Sequence, residues 1–155
     1  MTPDHVAATD AHRLALALTE PELVAWGERL GRGLSPPFAI ALRGELGAGK
    51  TTLARAICRG YGVTEDVTSP TFAIVHAYDA PRSVVHHVDL FRLDRQGELQ
   101  NIGWDDLLRG NSLLIVEWPE RAAGTLPAGH LALELRAVAG DPDRRLLLAP
   151  AAELR

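Results

Sequence analysis

Phe38-Ala39-Ile40-Ala41-Leu42-Arg43-Gly44-Glu45-Leu46-Gly47-Ala48-Gly49-Lys50-Thr51-Thr52-Leu53 is the stretch on which the reading of this 155-residue chain turns. Its first five residues are continuously apolar, as expected of a strand buried on both faces in a parallel sheet. Three glycines then crowd into six positions. From Lys50 onward Leu53, Ile57 and Tyr61, with Ala54 and Cys58 beside them, fall on one face of a helix that should end at Gly60 or Gly62. Cys58 reads as a small core residue of that face, not as a reactive thiol.

Between strand and helix, Gly44-Glu45-Leu46-Gly47-Ala48-Gly49-Lys50-Thr51 has the spacing glycine, four residues, glycine, lysine, serine or threonine. Glycines let successive backbone amides turn toward one point, where they and the helix N-terminus cradle phosphate oxygens. Lys50 is then placed for the β- and γ-phosphates and the Thr51 hydroxyl for a magnesium ion, with Thr52 beside them as a nucleotide-binding residue. A glycine-rich turn with a chance lysine is the plainer reading. The strand before the loop and the amphipathic helix after it weigh against that reading, because the mechanism requires both.

Upstream, residues 14–18 read as a short strand. Thr19, Glu20, Pro21 and Glu22 follow as a helix start, with a capping hydroxyl, a proline near the first position and acids at the positive end of the helix dipole. That helix carries Leu23, Trp26 and Leu30 and should stop at Gly31 or Gly33, with Pro36-Pro37 as a loop. Downstream, residues 71–78, 83–90 and 112–118 read as strands, and 98–108 as a helical stretch interrupted near Gly103. Residues 131–138 and 144–148 form a terminal hairpin around Ala139-Gly140-Asp141-Pro142. The expected fold is one α/β domain over residues 1–155, P-loop NTPase-like, a central mixed sheet with a parallel core and antiparallel margin flanked by helices.

The hydrophobic fraction of 46% and charged fraction of 23% suit an ordinary globular chain. A net charge of −4, a pI near 5.8 and scattered basic residues exclude a protein whose main task is to neutralise nucleic-acid phosphates. A lone cysteine fits a reducing compartment. The apolar run near the N-terminus is too short for a signal peptide or a membrane span, so the expected location is cytoplasmic, with no membrane partner.

A magnesium-nucleotide site needs acids beyond its loop. Asp89 ends the run Val84-Val85-His86-His87-Val88 and Glu117 ends Leu113-Leu114-Ile115-Val116, so both stand at carboxyl ends of strands, where α/β sheets bind ligands. Either acid alone reads equally as a solvated strand end. Trp118 reads as an aromatic facing nucleotide or partner, or as a core residue. Ser69 and Thr71, in Thr68-Ser69-Pro70-Thr71, suit a segment that senses the γ-phosphate, or an ordinary loop capping a strand. A zinc site at His76, His86, His87 and Asp89 is disfavoured, because His86 and His87 point to opposite faces of a strand.

Taken together, Gly-Glu-Leu-Gly-Ala-Gly-Lys-Thr-Thr at 44–52, Ser-Pro-Thr-Phe at 69–72, His-Val-Asp-Leu-Phe-Arg-Leu at 87–93 and Val-Glu-Trp-Pro-Glu-Arg at 116–121 resemble the bacterial TsaE family. The resemblance runs from about Thr19 to Arg145, with the motifs in the family's order. It implies an ATPase that assists the TsaB and TsaD proteins in forming threonylcarbamoyladenosine in tRNA, resetting the complex by ATP hydrolysis without being the transferase. Contact with tRNA is expected only within the assembled complex. By position, the resemblance implies that Lys50 and Thr51 are the loop lysine and magnesium threonine and that Glu117 is the second magnesium ligand. Asp89 resembles the family's acid near the γ-phosphate and would order the lytic water or a metal-bound water. Ser69 and Thr71 belong to a switch-like loop, and Trp118 serves partner or ATP. The adenine is expected near Thr19 and Glu20, with Arg144 or Arg145 closing over the nucleotide.

Two other classes use the same loop. A small-molecule kinase would need an arginine-rich lid, which the sequence lacks. A GTP-dependent switch would need an Asn-Lys-x-Asp element, and Lys50 is the only lysine in the chain.

Overall fold

The computed structural model describes residues 13–67, 74–93, 96–122 and 124–151. Among the described residues, seven strands form one sheet: β1 (Arg13–Thr19), β2 (Phe38–Arg43), β3 (Val75–Tyr78), β4 (Val85–Asp89), β5 (Leu113–Glu117), β6 (Leu131–Val138) and β7 (Asp141–Pro150). Their order is β1-β7-β6-β2-β5-β4-β3. Strand β2 runs parallel to both β5 and β6, and β5 parallel to β4, while β3, β7 and β1 are joined antiparallel at the two margins. The architecture is the expected α/β one, a parallel core between antiparallel edges.

Helices α1 (Glu20–Arg32) and α2 (Lys50–Tyr61) cover one face. Leu23, Trp26, Leu53 and Ile57 pack there on Ile40, Leu42, Ile115 and Leu133. The other face, built on Ala39, Leu114, Val116 and Val88, is covered by a 3-10 segment (Gln96–Ile102) and α3 (Trp104–Arg109), with Leu99 and Trp104 buried. Covering on both faces is why β2 and β5 read as unbroken apolar runs. Cys58 lies at 0% exposure, and burial pushes its thiol up to about 12, in keeping with a core role.

Helix α1 starts as its sequence dictates. Thr19 is the N-cap, Pro21 sits in the first turn, and Thr19 and Glu22 cap each other reciprocally. Its end corrects one of the two readings left open: the helix runs past Gly31 and is capped at Gly33, as α2 runs past Gly60 to Gly62. Gly31 and Gly60 are where the two helices touch. A Cβ on Gly31 would lie 2.1 Å from the Ile57 carbonyl oxygen, and one on Gly60 would lie 2.0 Å from that of Glu28. These glycines are therefore spacers that let two backbones meet. Arg82 closes the end of α1, donating to the carbonyls of Gly31 (3.2 Å), Leu34 (2.7 Å) and Arg32 (2.8 Å).

Other boundaries shift. The strand expected at 83–90 is confined to β4, and the one at 71–78 to β3 among the described residues. Gly103, in the left-handed region at φ 74°, is the interruption between the 3-10 segment and α3. The terminal hairpin turns on Ala139-Gly140 alone, so β7 begins at Asp141, three residues before the expected start. The register jumps from Val138↔Asp141 to Ala137↔Arg145, leaving Pro142, Asp143 and Arg144 as a bulge on that edge. No helix of the described residues is long and apolar enough to cross a membrane.

Candidate functional site

The carboxyl ends of β2, β4 and β5 lie side by side, and the glycine loop with Lys50, Asp89, Glu117 and Trp118 meet there. From the end of β2 the chain passes through Gly44 to Gly49 directly into α2. Gly49 is the helix N-cap at φ 102°, a left-handed conformation that carries no side-chain cap. The first intrahelical bond joins the Leu53 amide to the Gly49 carbonyl (3.0 Å). The amides of Lys50, Thr51 and Thr52 thus precede the helix ladder and are free to meet an anion.

Lys50 is buried, and its ammonium is engaged within the loop. Nζ donates to the Gly44 carbonyl and, at 3.2 Å, to that of Glu45, and it lies 4.1 Å from the centre of the Trp118 ring. Burial lowers its pKa, opposed by the charges of Glu117, Asp89, Glu120 and Glu45. Four acids around one cation make this the electrostatic centre of the site.

Asp89 and Glu117 are register partners across the parallel β4–β5 pair. Glu117 is 2% exposed, and its Oε2 accepts a 2.6 Å hydrogen bond from Nε2 of His87, which is 0% exposed. Asp89 Oδ1 accepts from the Phe91 amide (3.0 Å). Burial raises the Asp89 pKa and the charge of Glu117 adds to the rise, against the Phe91 hydrogen bond, His87 and Lys50. Trp118 takes φ 57°, and this left-handed residue swings its ring over Lys50 and against Phe91, with centroids 5.0 Å apart. Of its two readings, the site-facing one describes this placement, although the ring is also packed against the core behind β5.

A cleft of about 850 Å³ opens beside the loop. Residues Gly44, Glu45, Leu46, Gly47 and Ala48 wall one side, Trp118 and Glu120 another, and β6 with the β7 bulge the rest. Leu46 stands at the rim, 71% exposed. A second cleft of about 620 Å³ joins Gly47, Gly49 and Thr52 to Thr19, Glu20, Pro142, Asp143 and Arg145. The structure separates the two hairpin arginines. Arg144 is drawn to the start of α1, 3.6 Å from the Glu22 carboxylate, whereas Arg145 lines both clefts. Ser69 and Thr71 lie outside the described residues.

Sequence reasoning weighed His87 only as a metal ligand and did not set it against Glu117. Strand alternation carried the signal: His87 and Asp89, two apart on β4, share a face, and a parallel β5 sets Glu117 on it too. His86 points away, its Nδ1 3.2 Å from Ser112 Oγ.

The family profile described as "Threonylcarbamoyl adenosine biosynthesis protein TsaE" matches residues 18–146. The tRNA threonylcarbamoyladenosine biosynthesis protein TsaE of Treponema pallidum is 34% identical over 124 residues, covering 80% of this chain and 90% of that one. Its namesake from Nostoc is 36% identical over 124 residues, covering 78% and 76%. Among solved structures, the crystal structure of Bacillus subtilis YdiB is similar with a TM-score of 0.73 at 27% identity, covering 88% of this chain and 84% of that one. That likeness agrees with a P-loop NTPase-like fold.

Proposed function

The chain belongs to the TsaE family of tRNA threonylcarbamoyladenosine biosynthesis proteins, and from that membership we propose that it is a single-domain, magnesium-dependent ATPase of the cytoplasm. It assists TsaB and TsaD, resetting their complex by ATP hydrolysis, and meets tRNA only within that assembly. The observation that carries the nucleotide reading is the convergence, at the carboxyl ends of the central strands, of a buried loop lysine with two acids that are register partners. Phosphate groups would take over the donors that Lys50 now spends on the Gly44 and Glu45 carbonyls.

The donors present fit magnesium, a hard cation that prefers oxygen and is usually held by one or two carboxylates together with substrate phosphates. Thr51 and Glu117 would hold it. Asp89 and Glu117 stand side by side at the strand ends, and a positive charge would offset the two carboxylates. When bound, the ion would neutralise charge on the β- and γ-phosphate oxygens. Asp89, anchored by the Phe91 amide, would order the attacking water or a metal-bound one. Thr19, Glu20 and Arg145 would receive the base and ribose in the second cleft, and Ser69 and Thr71 would sense the γ-phosphate.

ATP hydrolysis by the wild-type chain and by Glu117→Ala, each alone and with TsaB and TsaD, tests the proposal. Turnover that rises with the partners and vanishes in the variant supports it. Absence of both stimulation and a complex on a sizing column overturns the partner assignment.

A further inference from the structure

His87 is fully enclosed, yet its ring has one polar engagement among the described residues: Nε2 to Glu117 Oε2 at 2.6 Å. An ionised carboxylate can only accept, so Nε2 carries the hydrogen. Its Nδ1 has no partner among the described residues. A buried imidazole is a costly way to fill space. Its placement on β4, facing the last residue of β5, gives it a specific task, because Glu117 is otherwise a long, rotatable side chain at a strand end.

We propose that His87 is the positioning residue for the magnesium ligand Glu117: it occupies Oε2, fixes the carboxylate plane and leaves Oε1 for the cation. The inference rests on the magnesium reading given above. Groups that orient a ligating carboxylate are worth about 10–100-fold in metal affinity.

The test is calorimetric titration of ATP in magnesium and in EDTA, with a thermal melt for each variant. A wild-type chain whose ATP affinity is indifferent to magnesium would refute the magnesium reading itself, and with it the proposal. Given a magnesium enhancement, His87→Asn, whose amide nitrogen matches Nδ1 and falls short of Glu117, should bind ATP in EDTA within about twofold of wild type. Its magnesium enhancement should fall by about 10-fold or more. His87→Gln, whose amide nitrogen matches Nε2, should recover most of that enhancement. An Asn variant with the full enhancement, or a Gln variant as impaired as Asn at equal melting temperature, would overturn the proposal. Should Asn fail to fold, Gln decides alone: folded with normal enhancement it upholds the positioning bond, and folded without it, it refutes it.

Discussion

His87 and Glu117 share a single 2.6 Å hydrogen bond, with the His87 side chain fully enclosed and that of Glu117 only 3% exposed. Removing one partner of such a pair costs more than exchanging it. Glu117→Ala should therefore lose about 1–3 kcal/mol by leaving the His87 N–H buried and unpaired. Glu117→Gln, which keeps a carbonyl acceptor, should melt close to wild type. Both should lose ATP turnover. A folded Gln variant with wild-type turnover would remove Glu117 from the metal site.

The meeting of α1 and α2 gives a second test. Gly31→Ala drives a methyl group to 2.1 Å from the Ile57 carbonyl oxygen, and backbone cannot step aside cheaply. The expected loss is about 2 kcal/mol or more, since overpacking of rigid contacts typically costs 1–3 kcal/mol. Gly33→Ala is the matched control, with φ −89° and its nearest outside atom 3.7 Å from the new methyl. It should be neutral or stabilising by up to about 1 kcal/mol, by restricting the unfolded chain. Urea denaturation of the pair reads the difference; equal midpoints would contradict the close approach.

Trp118 offers an optical readout. Its ring has Lys50 Nζ 4.1 Å from its centre, whereas Trp26 and Trp104 are buried in the two cores. If ATP draws Lys50 toward phosphate, the ring loses its cation and its emission changes. Trp118→Phe should abolish most of the ATP-dependent change, with the other two tryptophans still emitting. An unchanged response in that variant would show that the signal arises elsewhere.

How much of this was legible in the residues depended on how many structural uses a residue type has. The run 38–53 admits one arrangement, strand to glycine loop to helix, and the structure has it. Glycine near a helix end admits two, a left-handed cap or a place without a side chain, and only the packing of Gly31 on Ile57 and Gly60 on Glu28 separates them. The β7 bulge was invisible for a similar reason, because Pro142 reads as turn whether it ends a strand or bulges from one. Asp89 and Glu117 could be placed at strand ends, but their pairing needed the parallel register that the sequence does not print. Arg144 and Arg145 are one residue apart, and only strand alternation plus the pull of Glu22 decides which faces the loop.

The raised pKa of Asp89 predicts a pH dependence. Burial first, and then Glu117, make the folded protein hold this proton more tightly than the unfolded chain does. The ionised carboxylate therefore costs stability above the folded pKa, and that cost is relieved as pH falls through it toward the unfolded value. Asp89→Asn keeps the acceptor for the Phe91 amide and lacks the charge. Without nucleotide it should melt above wild type at neutral pH, by an amount that shrinks as the pH enters the acidic range. A gain that is the same at pH 7.5 and at pH values about that of a free carboxyl, near 4, would refute the account. Turnover should fall in this variant at every pH, so stability and activity move in opposite directions.

Arg144 and Arg145 allow a last separation, between holding the fold and holding the ligand. Arg144 reaches Glu22 at 3.6 Å and Asp141 at 3.4 Å, both on the exposed surface, so Arg144→Ala should cost no more than about 1 kcal/mol and leave nucleotide affinity unchanged. Arg145 donates to the carbonyls of Pro142 and Arg144, each at 3.0 Å, which ties its guanidinium to the bulge that borders both clefts. A guanidinium held where base and ribose would sit lowers the ligand's dissociation constant, and its loss in Arg145→Ala should weaken ATP binding by about 10-fold, the equivalent of 1.4 kcal/mol. Titration of ATP into both variants reads this directly. Equal weakening in the two would mean that the hairpin acts through its shape, and weakening in Arg144→Ala alone would put the nucleotide on the α1 side of β7.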